Sequence, residues 1–459
     1  MLRNDVICAI ATPSGMGAIA VIRLSGKGCI SLVDKVFTSV KKGKRLSGQP
    51  GYTAHFGRIF KDEVLIDEVL ATLFLAPHSF TGEESVEISC HGSVLIQNKL
   101  LQLLIQNGAR MADPGEFTMR AFMNGKMDLS QAEAVADLIS AESDAAHRVA
   151  MQQMRGGFSK EIALLREELI NFAALIELEL DFGEEDVEFA NRDNLSELLE
   201  KISAALLRLI QSFALGNVIK NGIPVAIVGA PNAGKSTLLN VLLNEERAIV
   251  SEVAGTTRDT IEDEIHLGGI TFRFIDTAGL RATTDIVESI GIKKALEKID
   301  SAHIVIYMFD AAEPPSDLNQ HLAEIIGRTG KKPVLVLANK VDRGIANIDV
   351  SEHGLDVLEI SAKKNTGIEE LKHALLEVVG MAALSNNQVI VTNTRHFESL
   401  NLALKAIYQV QEGISGSLPT DLLAEDVRES LRHLGNITGV IEPDRDILGT
   451  IFGKFCIGK

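Results

Sequence analysis

Residues 1 to about 120 alternate short aliphatic and β-branched runs (Val6 to Ala11, Ala18 to Leu24, Val69 to Ala76, Ser85 to Ser89) with glycine and proline punctuation. One stretch, Ser93 to Asn107, carries the apolar period of a helix. This texture predicts a compact α/β domain. From Asp128 the pattern changes: Asp128, with Gln131 three residues on, reads as an N-cap, and an Ala-, Leu-, Glu- and Arg-rich region keeps helical periodicity to about Phe213. After residue 385 the same texture returns, with Thr394 placed to cap a helix whose apolar positions Phe397, Leu400, Leu404 and Ile407 are spaced at three and four. A self-sufficient module between two helical blocks of like texture is most simply an insertion, its ends close together in space. The expected architecture is multidomain α/β plus all-α: an N-terminal α/β domain over 1-120, a helical domain in two parts over 121-215 and 381-459, and an α/β module over 216-380. Neither an internal repeat nor a low-complexity tract is visible.

Composition narrows the class. At 459 residues several hydrophobic cores are expected, and 46% hydrophobic with 23% charged residues is the balance of a soluble globular protein. Aromatic residues make up only 5% and Trp is absent, which points to helix-rich cores of Leu, Ile and Ala. The apolar stretch Val64 to Pro77 is broken by charge before reaching the ~20 residues of a membrane span. The start Met-Leu-Arg-Asn-Asp has no secretory-signal pattern, so a cytoplasmic protein without a membrane partner is expected. Cys8, Cys29, Cys90 and Cys456 form no CxxC pair, so neither a structural metal nor a disulfide is expected. A net charge of −17 argues against a general polyanion-binding surface, so any RNA contact is local. The one dense basic run, Lys41, Lys42, Lys44 and Arg45, reads as a solvated loop.

The chemistry lies in the α/β module. Residues 223 to 236 read as a buried strand, then GxxxxGKS, then a helix from Thr237 to Leu243. Gly229 and Gly234 let backbone N–H groups wrap phosphates around Asn232 and Ala233, Lys235 neutralises the β and γ oxygens, and Ser236 supplies a Mg²⁺ ligand. The partner motifs follow in order: Gly255-Thr256-Thr257-Arg258, then Asp276-Thr277-Ala278-Gly279 after the strand Thr271 to Ile275, then Asn339-Lys340-Val341-Asp342, then Ser361-Ala362-Lys363. Thr257 completes the Mg²⁺ shell and Gly279 offers its N–H to the γ-phosphate. Asp342 can accept from the N1–H and 2-amino group of guanine, donors that adenine lacks, so the module selects GTP.

After Asp-Thr-Ala-Gly stands Leu280, where Ras-type enzymes carry a water-orienting Gln, and an aliphatic side chain cannot hold water. Asp285 and Glu288 are downstream candidates, though spacing alone reads each more readily as an ordinary solvated carboxylate. The amide oxygen of Asn232 could coordinate a monovalent cation beside the phosphates.

The combination of this module, its helical surroundings and the terminal Phe455-Cys456-Ile457-Gly458-Lys459 resembles the MnmE (TrmE) family of tRNA-modifying GTPases over the whole chain. Matching stretches include Ile22 to Gly26, Ser79 to Glu84, His91-Gly92, Pro114 to Thr118, Arg120 to Phe122 and Lys126 to Glu133. The resemblance implies that Asn232 coordinates K⁺ together with backbone carbonyls of a loop spanning Ser251, Glu252, Val253, Ala254, Gly255 and Thr256, the K⁺ set being Asn232, Ser251, Val253 and Thr256. Ser251 departs from the Thr common in the family, but the contact is through backbone. The same carry-over makes Glu288 the catalytic glutamate that orients water when two such modules dimerise, and Cys456 the functionally required cysteine, as nucleophile or acid/base. It implies a folate-binding-like N-terminal domain, which takes 5-formyltetrahydrofolate or a related one-carbon tetrahydrofolate at a homodimer interface through Arg23, Glu87, Lys126 and Lys459. The implied function is addition of an aminomethyl or carboxymethylaminomethyl group to C5 of the wobble uridine of tRNA, together with a FAD-dependent partner protein. This chain has no GxGxxG flavin fingerprint of its own. A ribosome-assembly GTPase is the competing expectation, against which stands the lack of an evident basic RNA-binding module.

Overall fold

The computed structural model describes residues 5–181, 192–246, 263–275, 299–330, 332–345, 350, 353–379, 389–416, 420–440, 451–453, 455 and 458. The chain forms two compact units: Met1–Ile139, Gln152–Leu206 and Glu398–Lys459 make the first, Ser140–Met151 and Leu207–Phe397 the second.

The first unit holds strands β1 (Val6–Ile10), β2 (Ile19–Ser25), β3 (Phe37–Ser39), β4 (Thr53–Lys61), β5 (Val64–Phe74), β6 (Ser85–His91) and β7 (Ala109–Met111). They form one sheet in the order β3-β4-β5-β6-β2-β1-β7, antiparallel except for the β1–β7 pair. Strands β4 and β5 make a hairpin whose two-residue turn, Asp62-Glu63, has positive φ at both positions, the twist that suits paired strands. Side chains alternate across the sheet. Cys8, Ile22, Leu24, Val69, Ala71, Val86 and Ile88 face one way and pack on α1 (Cys29–Val33) and α2 (Val94–Gln106), while Ile7 and Ala9 face the other way onto Phe117 of α3 (Glu116–Met123).

Helix α4 (Leu129–Ile139) opens on a capping box: the Gln131 N–H donates to Asp128 Oδ1 (2.9 Å) and the Asp128 N–H to Gln131 Oε1 (3.0 Å). Helices α5 (Asp144–Met154), α6 (Gly157–Asp181) and α7 (Arg192–Asn221) follow, and helices Thr394–Ser415 and Thr420–Thr438 come later in the chain. Arg166 of α6 donates to the Leu431 carbonyl at 2.7 Å, tying α6 to the last of these. The cap of helix Thr394–Ser415 is Asn393, whose Oδ1 accepts from the Arg395 N–H at 2.9 Å; Thr394 is already the first helical residue. Within α7, Ser196–Asn221 is long and apolar enough to cross a membrane, and its Leu199, Ile202, Leu206, Leu209 and Ile219, at helical spacing, form one face buried in the protein.

The second unit is an open sheet of β8 (Ile223–Val228), β9 (Asp263–Leu267), β10 (Ile270–Phe274), β11 (Ile304–Asp310), β12 (Val334–Asn339) and β13 (Val357–Glu359), in the order β13-β12-β11-β8-β10-β9. All pairs are parallel except β9–β10. The near-continuous apolar runs of β8 and β11 follow from burial on both faces. On one face Ile223, Val225, Ile227, Phe272, Ile304 and Ile306 pack on α8 (Lys235–Glu246); on the other Val228, Val305, Tyr307 and Val336 pack on Leu318, Leu322 and Ile325 of helix Leu318–Thr329. After β8 the chain adds strands on one side of it and then crosses to the other with β11, which makes the carboxyl end of β8 a topological switch point, where open α/β sheets bind ligands.

Candidate functional site

The loop from Gly229 to Lys235 joins β8 to α8 at this switch point. Three of its residues have positive φ: Gly229 (141°), Asn232 (62°) and Gly234 (100°). A Cβ at Gly229 would lie 1.9 Å from the Met308 carbonyl oxygen, and one at Gly234 would lie 2.3 Å from Asn339 Nδ2. Both glycines are therefore required by neighbours as well as by backbone conformation. The Lys235 ammonium donates to the carbonyls of Gly229 (2.8 Å) and Ala230 (2.7 Å), which holds a cation across the loop beside the N-terminus of α8. A helix N-terminus, a curled loop of N–H groups and an ammonium together form an anion cradle.

Asn339 ends β12 and is only 2% exposed. Its Nδ2 donates to the Ala233 carbonyl at 2.7 Å, and its Oδ1 accepts from the Ala362 N–H at 3.0 Å. One side chain thus spans the phosphate loop and the Ser361-Ala362-Lys363 turn. Lys340 adopts a left-handed conformation (φ 66°), and its ammonium pairs with Asp310 Oδ2 at 2.7 Å. Burial alone would raise the Asp310 carboxyl, but the Lys340 hydrogen bond and the Ala312 N–H outweigh it and hold the group below its ordinary value. Asp342 is exposed, and its Oδ1 accepts from the Ser361 hydroxyl at 2.6 Å. That hydroxyl is the main reason its carboxyl stays below the usual range, so an ionised, acceptor-only group is presented to solvent. The Ser361–Thr366 bridge, with N–H to carbonyl distances of 2.9 and 3.1 Å in the two directions, closes the turn that carries the hydroxyl.

The structure therefore brings together Asn232, Ala233, Gly234, Lys235, Ser236 and Thr237 with Asn339, Lys340, Asp342, Ser361, Ala362 and Lys363. The segments 251–257 and 276–279, with Glu288, Cys456 and Lys459, lie outside the described residues. Asp310, the partner of Lys340, was missed by sequence reasoning; its only signal is an acid closing the apolar run Ile304 to Phe309.

A second cluster lies on the first unit. Arg23 of β2 and Glu87 of β6 are register partners, and Glu87 Oε1 accepts from Arg23 Nη2 at 2.8 Å and Nε at 2.9 Å. Both side chains remain partly exposed, at 23% and 29%. A pair so accessible contributes about 0–1 kcal/mol to stability, which leaves its charges available for recognition. The Arg23 guanidinium lies 5.6 Å from the ring centroid of Phe80 and 5.8 Å from that of Phe117. Lys126 is exposed and donates to the Pro77 carbonyl at 3.1 Å, on the loop that carries Phe80. The chain's end returns to this unit. Phe452 and Phe455 pack on Leu129 and Ala132, and Gly458 abuts β1, where a Cβ would lie 2.4 Å from the Ile10 carbonyl oxygen. Ile10 pairs with Ile22, the neighbour of Arg23. By contrast Cys8 and Cys90 are free and buried, and burial pushes both thiols up to about 11, the behaviour of packing residues.

Residues 129–456 match the family described as MnmE helical domain, and residues 6–126 that described as GTP-binding protein TrmE N-terminus. The tRNA modification GTPase MnmE of Flavobacterium johnsoniae is 58% identical over 468 residues, covering 100% of both chains. That of Christiangramia forsetii is 57% identical over 476 residues, again covering 100% of both. Among solved structures, the G domain of the T. maritima FeoB iron transporter is 27% identical, covers 34% of this chain and 98% of its own, and has a TM-score of 0.26. Full-length identity at this level, on a sheet whose switch point carries the phosphate loop, makes the chain a GTP hydrolase of tRNA modification: it belongs to the MnmE family of tRNA modification GTPases.

Proposed function

We propose that this chain is a K⁺-stimulated GTPase activated by dimerisation of its nucleotide modules, which works with a FAD-dependent partner protein on tRNA. In this reading a folate one-carbon unit becomes the aminomethyl or carboxymethylaminomethyl group at C5 of the wobble uridine. The observation that supports it most is the Asn339 bridge, because it couples the phosphate cradle to the turn that holds Asp342 for guanine.

The residues divide the work. Backbone N–H groups of the loop and the Lys235 ammonium bind the phosphates, and Asp342 binds the guanine edge. Ser236, at the start of α8, and Thr257 would hold Mg²⁺, which neutralises charge on the β and γ oxygens. Asn232 is exposed in the left-handed region, a conformation open to Asn, and its oxygen-bearing side chain suits a hard monovalent cation. With backbone carbonyls of Ser251, Val253 and Thr256 it would hold K⁺, adding positive charge beside the phosphates. Glu288 would orient the attacking water.

The first unit fits a reduced folate through its donor set. Arg23, Lys126 and Lys459 suit the tail carboxylates, and the carboxylate of Glu87 suits pterin N–H groups. Cys456 would act on the one-carbon or uridine chemistry of the same unit. A GTPase assay in K⁺ and in Na⁺, with wild type and Glu288→Ala, tests the hydrolytic half: K⁺ should accelerate turnover at least tenfold, and Glu288→Ala should bind GTP while losing turnover. Equal rates in the two salts would remove Asn232 from the mechanism.

A further inference from the structure

We propose that Arg120 is a positioning residue for the Arg23–Glu87 pair, acting through Glu83 and residues 79–83 to set the ring of Phe80 against the Arg23 guanidinium. The inference rests on the folate reading of that pair and names the device that orients it.

Arg120 is only 1% exposed, and its two terminal nitrogens are held by acceptors while its Nε is buried without a hydrogen-bond partner. Through Nη2 it donates to Asp5 Oδ1 (2.9 Å) and Glu116 Oε1 (3.0 Å); through Nη1 it donates to the Asp5 carbonyl (3.0 Å) and Glu83 Oε2 (3.2 Å). Glu83 is the link to the loop. Its carboxylate also accepts from the Ser25 hydroxyl at 2.9 Å, its carbonyl accepts from Ser79 Oγ at 2.6 Å, and its N–H reaches Thr81 Oγ1 at 3.3 Å. Thr81 is fully buried, 2.7 Å from Ser25 Oγ, and its carbonyl accepts from Asn124 Nδ2 at 2.7 Å.

The neighbours of Phe80 on both sides are thus tied down, while Phe80 itself stays 38% exposed. Phe117 stands three residues before Arg120 on α3, on the same side of the helix. Arg120 therefore sits on the helix that carries one ring and ties down the loop that carries the other. A guanidinium held between aromatic rings and a carboxylate has one orientation instead of many. With Nε and Nη2 directed to Glu87, its remaining N–H groups are aimed before a carboxylate or pterin arrives, which lowers the ordering cost of binding. A buried charge network is a poor way to gain stability but a good way to fix geometry.

The test uses the full chain with Phe80→Leu and Glu83→Gln, since Arg120→Ala risks unfolding. Two readouts are taken: calorimetric binding of 5-formyltetrahydrofolate, and the ¹H–¹⁵N Nε resonance of Arg23 in arginine-labelled protein, assigned by its loss in Arg23→Lys. Thermal melting controls for fold. The wild type should show a sharp, exchange-protected Arg23 Nε signal; both variants should broaden or lose it and raise the folate Kd at least tenfold. A signal and Kd unchanged in both variants would overturn the inference. A wild type that binds no folate, while the variants still lose the Arg23 signal, would overturn the folate reading and leave the positioning role standing.

Discussion

Asn339 Nδ2 donates to the Ala233 carbonyl at 2.7 Å, so the residue that opens the Asn339-Lys340-Val341-Asp342 motif also fastens the loop from Gly229 to Lys235. Its Oδ1 holds the Ala362 N–H, which places three motifs far apart in sequence under the control of one buried amide. Asn339→Ala should leave both partners unsatisfied, a loss of about 1–3 kcal/mol of stability. We expect a lower melting temperature and at least tenfold weaker binding of a fluorescent GDP analogue. Unchanged affinity would show that the loop holds its shape without the bridge.

The Ser361 hydroxyl at 2.6 Å orients the Asp342 carboxylate, so the choice of base should depend on acceptor chemistry. Asp342→Asn replaces one acceptor oxygen by a donor, and affinity should shift from GTP toward a xanthine nucleotide by at least a hundredfold in ratio. Competition binding with the two nucleotides measures this. A retained preference for GTP would move guanine recognition elsewhere.

The charge network of the first unit should make it acid-sensitive. Arg110 hydrogen bonds, foremost, hold the Asp5 carboxyl below its ordinary 3.8. For Glu116 burial works upward, but Arg110, the Asp113 N–H and Arg120 outweigh it and hold the carboxyl below 4.5. In the unfolded chain these groups take up protons first, so their contribution is complete above about pH 4.5 and is lost as pH falls through the lower folded values. Denaturation midpoints should fall steeply below pH 4.5 in the wild type and less steeply in Asp5→Asn. Parallel curves for the two would show that Asp5 carries no linkage.

Gly458 has φ 102°, and its missing Cβ makes room for the Ile10 carbonyl. Gly458→Val should lift the terminal segment from β1 and reduce tRNA modification at least tenfold while GTP affinity stays within twofold. Full modification by this variant would mean that the docking of Gly458 is dispensable.

Legibility of the fold followed from how much of each element's information is local. The capping box at Asp128 and Gln131 was readable because both partners lie within one turn, and β8 because burial on both faces leaves an unbroken apolar run. Strand β4 was not readable. Its buried positions include His55 and Gly57, and Gly57 is there because the Phe37 ring occupies the space of its side chain, 2.2 Å from where a Cβ would stand. The Asp62-Glu63 turn also lacks the usual glycine. At the nucleotide site the motif residues were visible as strings, but the bridge from Asn339 and the pairing of Lys340 with Asp310 are made by tertiary contact. Around Arg23, the stretches Ser79 to Glu84, Pro114 to Thr118 and Arg120 to Phe122 were visible separately, and only the fold shows them as one network.

The most direct test of the central claim, that GTP hydrolysis by this chain serves tRNA modification, is mass spectrometry of tRNA nucleosides from cells lacking it. The cells would be complemented with the wild type, Lys235→Ala or Cys456→Ser. The account predicts loss of the C5-modified wobble uridine in the deletion, restored by the wild type and by neither variant. Restoration by Lys235→Ala, or nucleosides unchanged by the deletion, would contradict it.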